Sequence, residues 1–309
     1  MKKLSIIVIA ALGFWGCNSE TGKPKEEAET FRTDFTTLRR DLDSIAAGVE
    51  AKFALGYINI ETGDTFSYKG EEHQPMQSTV KFPLALLIMQ QIDAGKLKID
   101  QKVPMTAEEM GAGARSPLRD AYGAKAVGVP IHDMLYYMIA MSDNVTCNKF
   151  TEMVGGVKAL DSQVHSLGVK GFGLVAAEGK PGAIDFSRPY ENWCEPRDMA
   201  GLLAKFYTGG ILSKTSTDTL RSMMERAQRE RIKGQLPKET VVAHKTGTSG
   251  SENGITTAVN DIGIVTLPNS QHLVLAIYVT EVQGDMEAGE AIIARIAKAA
   301  FDHAVKRAE

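Results

Sequence analysis

Apolar positions at Phe31, Phe35, Leu38, Leu42, Ile45 and Val49 recur three and four residues apart, which predicts an amphipathic helix with charged residues on its outer face. Phe53 to Ile60 then forms a short apolar run that predicts a buried strand. Thr62-Gly63-Asp64 supplies turn chemistry, and the alternating Thr65-Phe66-Ser67-Tyr68 predicts the return strand. Helical patterns follow. Leu84 to Ala94 stops at Gly95, and Ile131 to Met141 follows Pro130 with Leu135, Met138 and Ile139 on one side. Val157 to Leu167 stops at Gly168, and Met199 to Tyr207 stops before Gly209-Gly210. Between the last two lies Gly171 to Trp193, an irregular stretch of the length that is usually functional or disordered. Strand patterns return at Val241 to His244, Ala258 to Leu267 and His272 to Val279, with Pro268-Asn269-Ser270 as a turn. Glu287 to Val305 closes the chain as a helix, with Ile292, Ile293, Ile296, Ala300 and Phe301 facing inward.

Strands at both ends and helices between them predict an α/β (α+β) fold. The terminal strands join into one antiparallel sheet flanked by the terminal helices, and an all-helical domain is inserted between them. The expected boundaries are 31–74 with 221–309 for the α/β domain and 75–220 for the helical one. Residues 1–17 fit neither: Lys2-Lys3 precede the apolar Leu4 to Trp15, too short for a membrane span, as in an export signal. Gly16-Cys17 resembles a bacterial lipoprotein processing site, which implies a periplasmic protein that Cys17 could anchor through a lipid. Phe14 and Trp15 are bulkier than usual there, so simple secretion stays open. Residues 18–30 lack apolar periodicity and are expected to form a tether.

The 309 residues, 43% hydrophobic and 24% charged, suit a globular protein, and a net charge of −3 offers no electrostatic case for nucleic acid. The histidines at 73, 132, 165, 244, 272 and 303 lack metal-ligand spacing, and no phosphate-binding loop motif occurs, so neither metal nor cofactor is expected. With Cys17 set aside, Cys147 and Cys194 remain, and buried free thiols are the preferred reading over a disulfide.

Three short motifs carry the chemistry. In Gln77-Ser78-Thr79-Val80-Lys81-Phe82-Pro83-Leu84, Ser78 and Lys81 stand one helical turn apart, within hydrogen-bonding reach. Pro83 is tolerated only in a first turn, so Ser78 belongs at the amino end of a helix, where free N–H groups suit a developing oxyanion and a lowered amine pKa. Lysine is one base that could activate such a serine. Ser142-Asp143-Asn144 follows a predicted helix and alone fits a helix-end turn. Lys245-Thr246-Gly247-Thr248 ends a predicted strand and alone fits a glycine bend.

Together, in this order and spacing, the three motifs resemble those of the class A serine β-lactamases, which share their fold with penicillin-binding peptidases. The likeness covers nearly all of the mature chain, including Ser116-Pro117-Leu118-Arg119-Asp120 and the run Val242 to Gly250, and looks nearest to the cephalosporin-favouring PER-like subgroup. The resemblance implies that Ser78 attacks the β-lactam carbonyl, Lys81 holds or takes its proton, and the backbone N–H groups of Ser78 and Thr248 form the oxyanion hole. It implies that Ser142 relays a proton to the ring nitrogen and Asn144 holds the side-chain amide. Lys245, Thr246, Thr248 and Arg231 would bind the substrate carboxylate. Glu178 would activate water for deacylation, with Asn148 supporting its loop. A monomer acting on a small molecule is expected.

Departures from the family are also visible. Ala176 and Asn192 stand where an arginine–aspartate pair commonly closes the neck of the loop, so the loop must be held otherwise. Gly179, Lys180, Pro181 and Gly182 depart from the usual pattern after the glutamate. Arg115 replaces a common aromatic gatekeeper and adds a charge at the cleft mouth, which suggests a widened, cephalosporin-tolerant site. A D,D-peptidase is the nearest alternative, opposed by Glu178. A β-lactam sensor that stays acylated is the second, and it lacks the membrane span many sensors carry.

Overall fold

The computed structural model describes residues 34–308 apart from 112 and 114, and they form one compact unit. The export signal, Cys17, the tether and Phe31 lie outside the described residues.

A six-stranded sheet organises the molecule. From one edge its strands are Val242–Thr248, Ile255–Thr266, His272–Gln283, Lys52–Asn59 and Thr65–Tyr68, with the short Ser251–Glu252 beside Ile255–Thr266. All neighbours run antiparallel. The two ends of the chain meet at its centre, where Lys52 pairs with Thr280 and Asn59 with Leu273. Both faces of this sheet are buried. Leu273, Leu275, Ile277 and Val279 pack with Leu38, Leu42, Ile293 and Ile296 of the terminal helices Thr36–Ala47 and Met286–Ala308. Val274, Ala276 and Tyr278 point the other way, into the core of the helical part. Burial on both faces explains why the strand reads as a continuous apolar run. Gly56 lets helix Pro196–Tyr207 approach the sheet, since a Cβ there would lie 2.3 Å from the carbonyl oxygen of Pro196.

The helical part surrounds helix Lys81–Asp93, whose residues from Lys81 to Met89 are all buried. A helix apolar on every side must sit at a centre. Two of its neighbours, Asn144–Met153 and Lys214–Met224, are not among the predicted helices, yet both carry N-caps, Asp143 and Ser213.

Several boundaries correct the sequence reading. The strand predicted at Val241 to His244 runs on through Val242–Thr248, so the Lys245 motif forms its last four residues, at the strand end where the sequence placed it. The stretch from 171 to 193 is not wholly irregular. Phe172–Gly173 pairs with Trp193–Cys194, which pairs with Gln74–Pro75, so both ends of the loop are stitched to the residues just before Ser78. Cys147 and Cys194 are buried free thiols, as the sequence reading preferred.

Candidate active site

Ser78 sits in a single 3-10 turn, Gln77–Val80, and the α-helix proper begins at Lys81. Pro83 therefore falls within the first helical turn, as its missing N–H requires. The turn is held from behind by the chain around it. Asn260 donates to the carbonyl oxygens of Pro75 (2.7 Å) and Met76 (3.2 Å), and Met76 N–H donates to Asn192 O (2.8 Å). The Thr79 hydroxyl donates to Met76 O at 2.8 Å. Gly247 on the edge strand lies against this turn, and a Cβ there would come within 2.6 Å of Met76 O and 3.2 Å of Ser78 N. The missing side chain thus brings the strand, and Thr248 after it, beside the nucleophile.

Lys81 is fully buried and its amine meets four oxygens: Ser142 O (2.8 Å), Asn144 Oδ1 (2.6 Å), Ser78 Oγ (3.0 Å) and Ser142 Oγ (3.4 Å). Burial pushes its pKa down to about 8, with Arg115 lowering it further and Cys147 and Asp143 opposing the shift. The same oxygens serve the amine before and after it loses its proton. The charged amine donates to Ser78 Oγ; once it is neutral, the Ser142 carbonyl and the Asn144 amide oxygen, which can only accept, take its two N–H bonds and leave its lone pair for the Ser78 hydroxyl.

Ser142 occupies the left-handed region at φ +58, a conformation that needs its surroundings to impose it. Asp143 is the anchor. Its wholly buried carboxylate accepts from Ser116 Oγ (2.6 Å), Leu118 N (2.9 Å), Thr146 N (2.8 Å) and Thr146 Oγ1 (3.1 Å), capping helix Asn144–Met153. On the far side Lys245 donates to Ser142 Oγ (3.0 Å) and Thr246 O (2.8 Å). Burial, with Lys81 adding to it, holds the Lys245 pKa well below the usual lysine range. Ser78, Lys81, Ser142 and Lys245 form one continuous chain of hydrogen bonds.

This chain opens into a cleft of about 280 Å³ lined by Ser78, Arg115, Ser142, Asn144, Thr246 and Thr248, among others. Arg231, expected to meet the substrate carboxylate, does not line it. Its side chain is wholly buried, donating to Glu290 Oε1 (2.9 Å), Gly247 O (2.7 Å), Asn260 O (2.8 Å) and Thr248 Oγ1 (2.6 Å). By occupying a lone pair of the Thr248 oxygen, Arg231 directs that hydroxyl hydrogen elsewhere, so it addresses the cleft through Thr248.

Glu178 is also placed differently from expectation. It is exposed, in the two-residue turn between Ala176–Ala177 and Lys180–Ile184, with Gly179 at φ +66, and it does not line the cleft. Asn148 faces Lys180 and Gly182 across a separate hollow of about 320 Å³ and makes no side-chain hydrogen bond among the described residues. The neck of the loop is held by Asn192 itself: its Oδ1 accepts from Val175 N (3.0 Å), and its Nδ2 donates to Asp185 O (2.7 Å) and Arg188 O (3.0 Å).

Asn260 and Glu290 were missed by sequence reasoning. Asn260 leaves a signal, as a polar residue inside the apolar run Ala258 to Leu267. Glu290 leaves only the rule that a buried arginine needs a counter-charge.

A model described as the beta-lactamase enzyme family matches residues 37–304. The extended-spectrum beta-lactamase PER-1 of Pseudomonas aeruginosa is 36% identical over 272 residues, 87% of this chain and 88% of that protein. The beta-lactamase VEB-1 of the same organism is 33% identical over 276 residues, 88% of this chain and 91% of that one. The crystal structure of the TLA-3 extended-spectrum beta-lactamase superposes with a TM-score of 0.83 at 34% identity, covering 88% of this chain and all of that one.

Proposed function

Because the chain belongs to the beta-lactamase enzyme family, we propose that it hydrolyses the β-lactam ring of penicillins and cephalosporins through a serine acyl-enzyme, conferring antibiotic resistance. The observation that carries this reading is the hydrogen-bonded chain from Ser78 through Lys81 and Ser142 to Lys245, opening on a cleft.

In the first step the Ser78 oxygen bonds to the lactam carbonyl carbon while its proton passes to the Lys81 lone pair. Negative charge collects on the former carbonyl oxygen, facing the N–H groups of Ser78 and Thr248. Collapse breaks the carbon–nitrogen bond, and the Ser142 hydroxyl delivers a proton to the departing nitrogen, replenished from Lys81 or Lys245. Thr246 and the Thr248 hydroxyl hold the substrate carboxylate, with Lys245 and Arg231 fixing them from behind. Asn144 is shared between Lys81 and the substrate's side-chain amide. Deacylation needs a base for water, and Glu178 serves if the short hairpin carrying it closes toward Ser78, with Asn148 as its support. Its exposed place on a glycine turn leaves it room to move.

The test is stopped-flow with excess chromogenic cephalosporin, comparing the parent with Glu178→Gln. Sustained turnover by the parent and a single rapid equivalent from the variant is the expected result. One equivalent from both would overturn hydrolysis in favour of a peptidase or a β-lactam sensor. Equal turnover would keep the enzyme and discard Glu178.

The same reading makes the protein an exported, periplasmic monomer, led out by residues 1–17 and tethered by 18–30 through a lipidated Cys17. Lys2-Lys3, the apolar Leu4 to Trp15 and Gly16-Cys17 support it. The split into an α/β domain (31–74, 221–309) and a helical domain (75–220) draws support from the separate apolar cores on the two faces of the sheet.

A further inference from the structure

The cleft beside Ser78 carries a charge that the chemistry at the ring leaves unused. We infer that Arg115 forms an anion subsite for the acyl side chain, so that β-lactams bearing a second carboxylate on that side chain are favoured over their neutral counterparts. This rests on the β-lactamase reading above and deepens it to a substrate class.

Among the described residues lining the cleft none is acidic, and the two arginines are Arg115 and Arg229. They are not equivalent. Arg229 already pairs with Glu290 at 3.1 Å, a carboxylate it shares with the buried Arg231. Arg115 is exposed and pairs with no carboxylate among the described residues. Among the described residues only one of its guanidinium nitrogens is engaged, Nη1, which donates to Met141 O at 2.7 Å. A guanidinium has five N–H donors in a planar fork, so most of this one remains to be used.

Position and rigidity decide which part of a substrate meets it. The Arg115 carbonyl accepts from Asn144 N at 3.1 Å, and its guanidinium holds the carbonyl of the residue before Ser142. The residue is thus tied to the Met141–Asn144 turn through its backbone carbonyl and through its guanidinium, which limits the freedom lost on binding. In the proposed reaction Asn144 takes the acyl-side amide, whereas Thr246 and Thr248, on the edge strand, take the ring carboxylate. A carboxylate on the acyl side chain reaches Arg115 without competing for the ring-carboxylate site. Bidentate, charge-assisted contact follows from the geometry of the fork.

The experiment takes two cephalosporins with the same nucleus and leaving group, one with an oxime substituent ending in a carboxylate and the other its methyl ester. The kcat/KM of each is measured for the full chain, Arg115→Gln and Arg115→Lys, at low and high ionic strength. The readout is the ratio within each protein, so a general loss of activity cancels. We expect the parent to favour the carboxylate about fivefold at low salt, the upper end for an exposed ion pair. The ratio should fall toward unity in Arg115→Gln and at high salt, and largely survive in Arg115→Lys. A parental ratio that salt does not move, or one that Arg115→Gln retains, overturns the subsite. Failure of the parent to turn over either compound would instead sink the β-lactamase reading on which the subsite depends.

Discussion

Replacing Asp143 by alanine should unfold the protein at a markedly lower temperature, because one buried carboxylate satisfies groups from two separate segments, 116–118 and its own helix. It accepts from the Ser116 hydroxyl, the Leu118 N–H and the Thr146 N–H, and it is wholly shielded from the surface. Loss of the helix cap alone costs about 1 kcal/mol. Leaving the Leu118 N–H and the Ser116 hydroxyl unpaired in the interior adds about 1–3 kcal/mol each, less what a rotated hydroxyl or an entering water recovers. A net loss of about 3–5 kcal/mol is expected, at the severe end for single substitutions. At about 2–4 °C per kcal/mol for a domain of this size, Tm should fall by about 6–20 °C. Asp143→Asn keeps the shape and part of the acceptor capacity, and the Ser116 hydroxyl can reverse to accept from the new amide, so its loss should be intermediate. Calorimetry on the three proteins decides the matter. A fall below about 2 °C in Asp143→Ala would refute the claim that these bonds hold the turn carrying Ser142 and Asn144.

Two further outcomes follow from the same geometry. Gly247→Ala should abolish rapid acylation in single-turnover assays, since the new Cβ would fall 2.6 Å from Met76 O, a backbone atom that cannot swing aside; a near-parental rate would mean the edge strand is free to shift. Acylation followed against pH should rise through a limb near 8 as the Lys81 amine loses its proton, and Arg115→Gln should move that limb upward by removing a cation that lowers the pKa. Stability follows the same sign: the unfolded lysine, at 10.5, binds a proton that the folded one near 8 does not, so this group's contribution rises with pH across that window. A limb near 10, or none, would place the first proton transfer elsewhere.

Local order was open to reading from the chain because local order has local causes. Period-2 and period-3.6 patterns identified the terminal helices and the strands that close the sheet, and the three-residue spacing of Ser78 and Lys81 foretold a contact found at 3.0 Å. Separation in sequence did not hide the fold class, since strands at the ends and helices between them admit few packings. What tertiary structure alone decided is the environment of each charged group. Arg231 and Arg115 are the same residue type in the chain, yet one is sealed beneath Thr248 by Glu290 and the other is held open at the cleft mouth by Met141 O. The loop from 171 to 193 gave no regular pattern because its order comes from pairing with Gln74–Pro75 and from the side chain of Asn192, contacts that no short window of sequence contains. A polar side chain takes its partners from wherever the fold delivers them, and in this site some come from as far as 185 positions away.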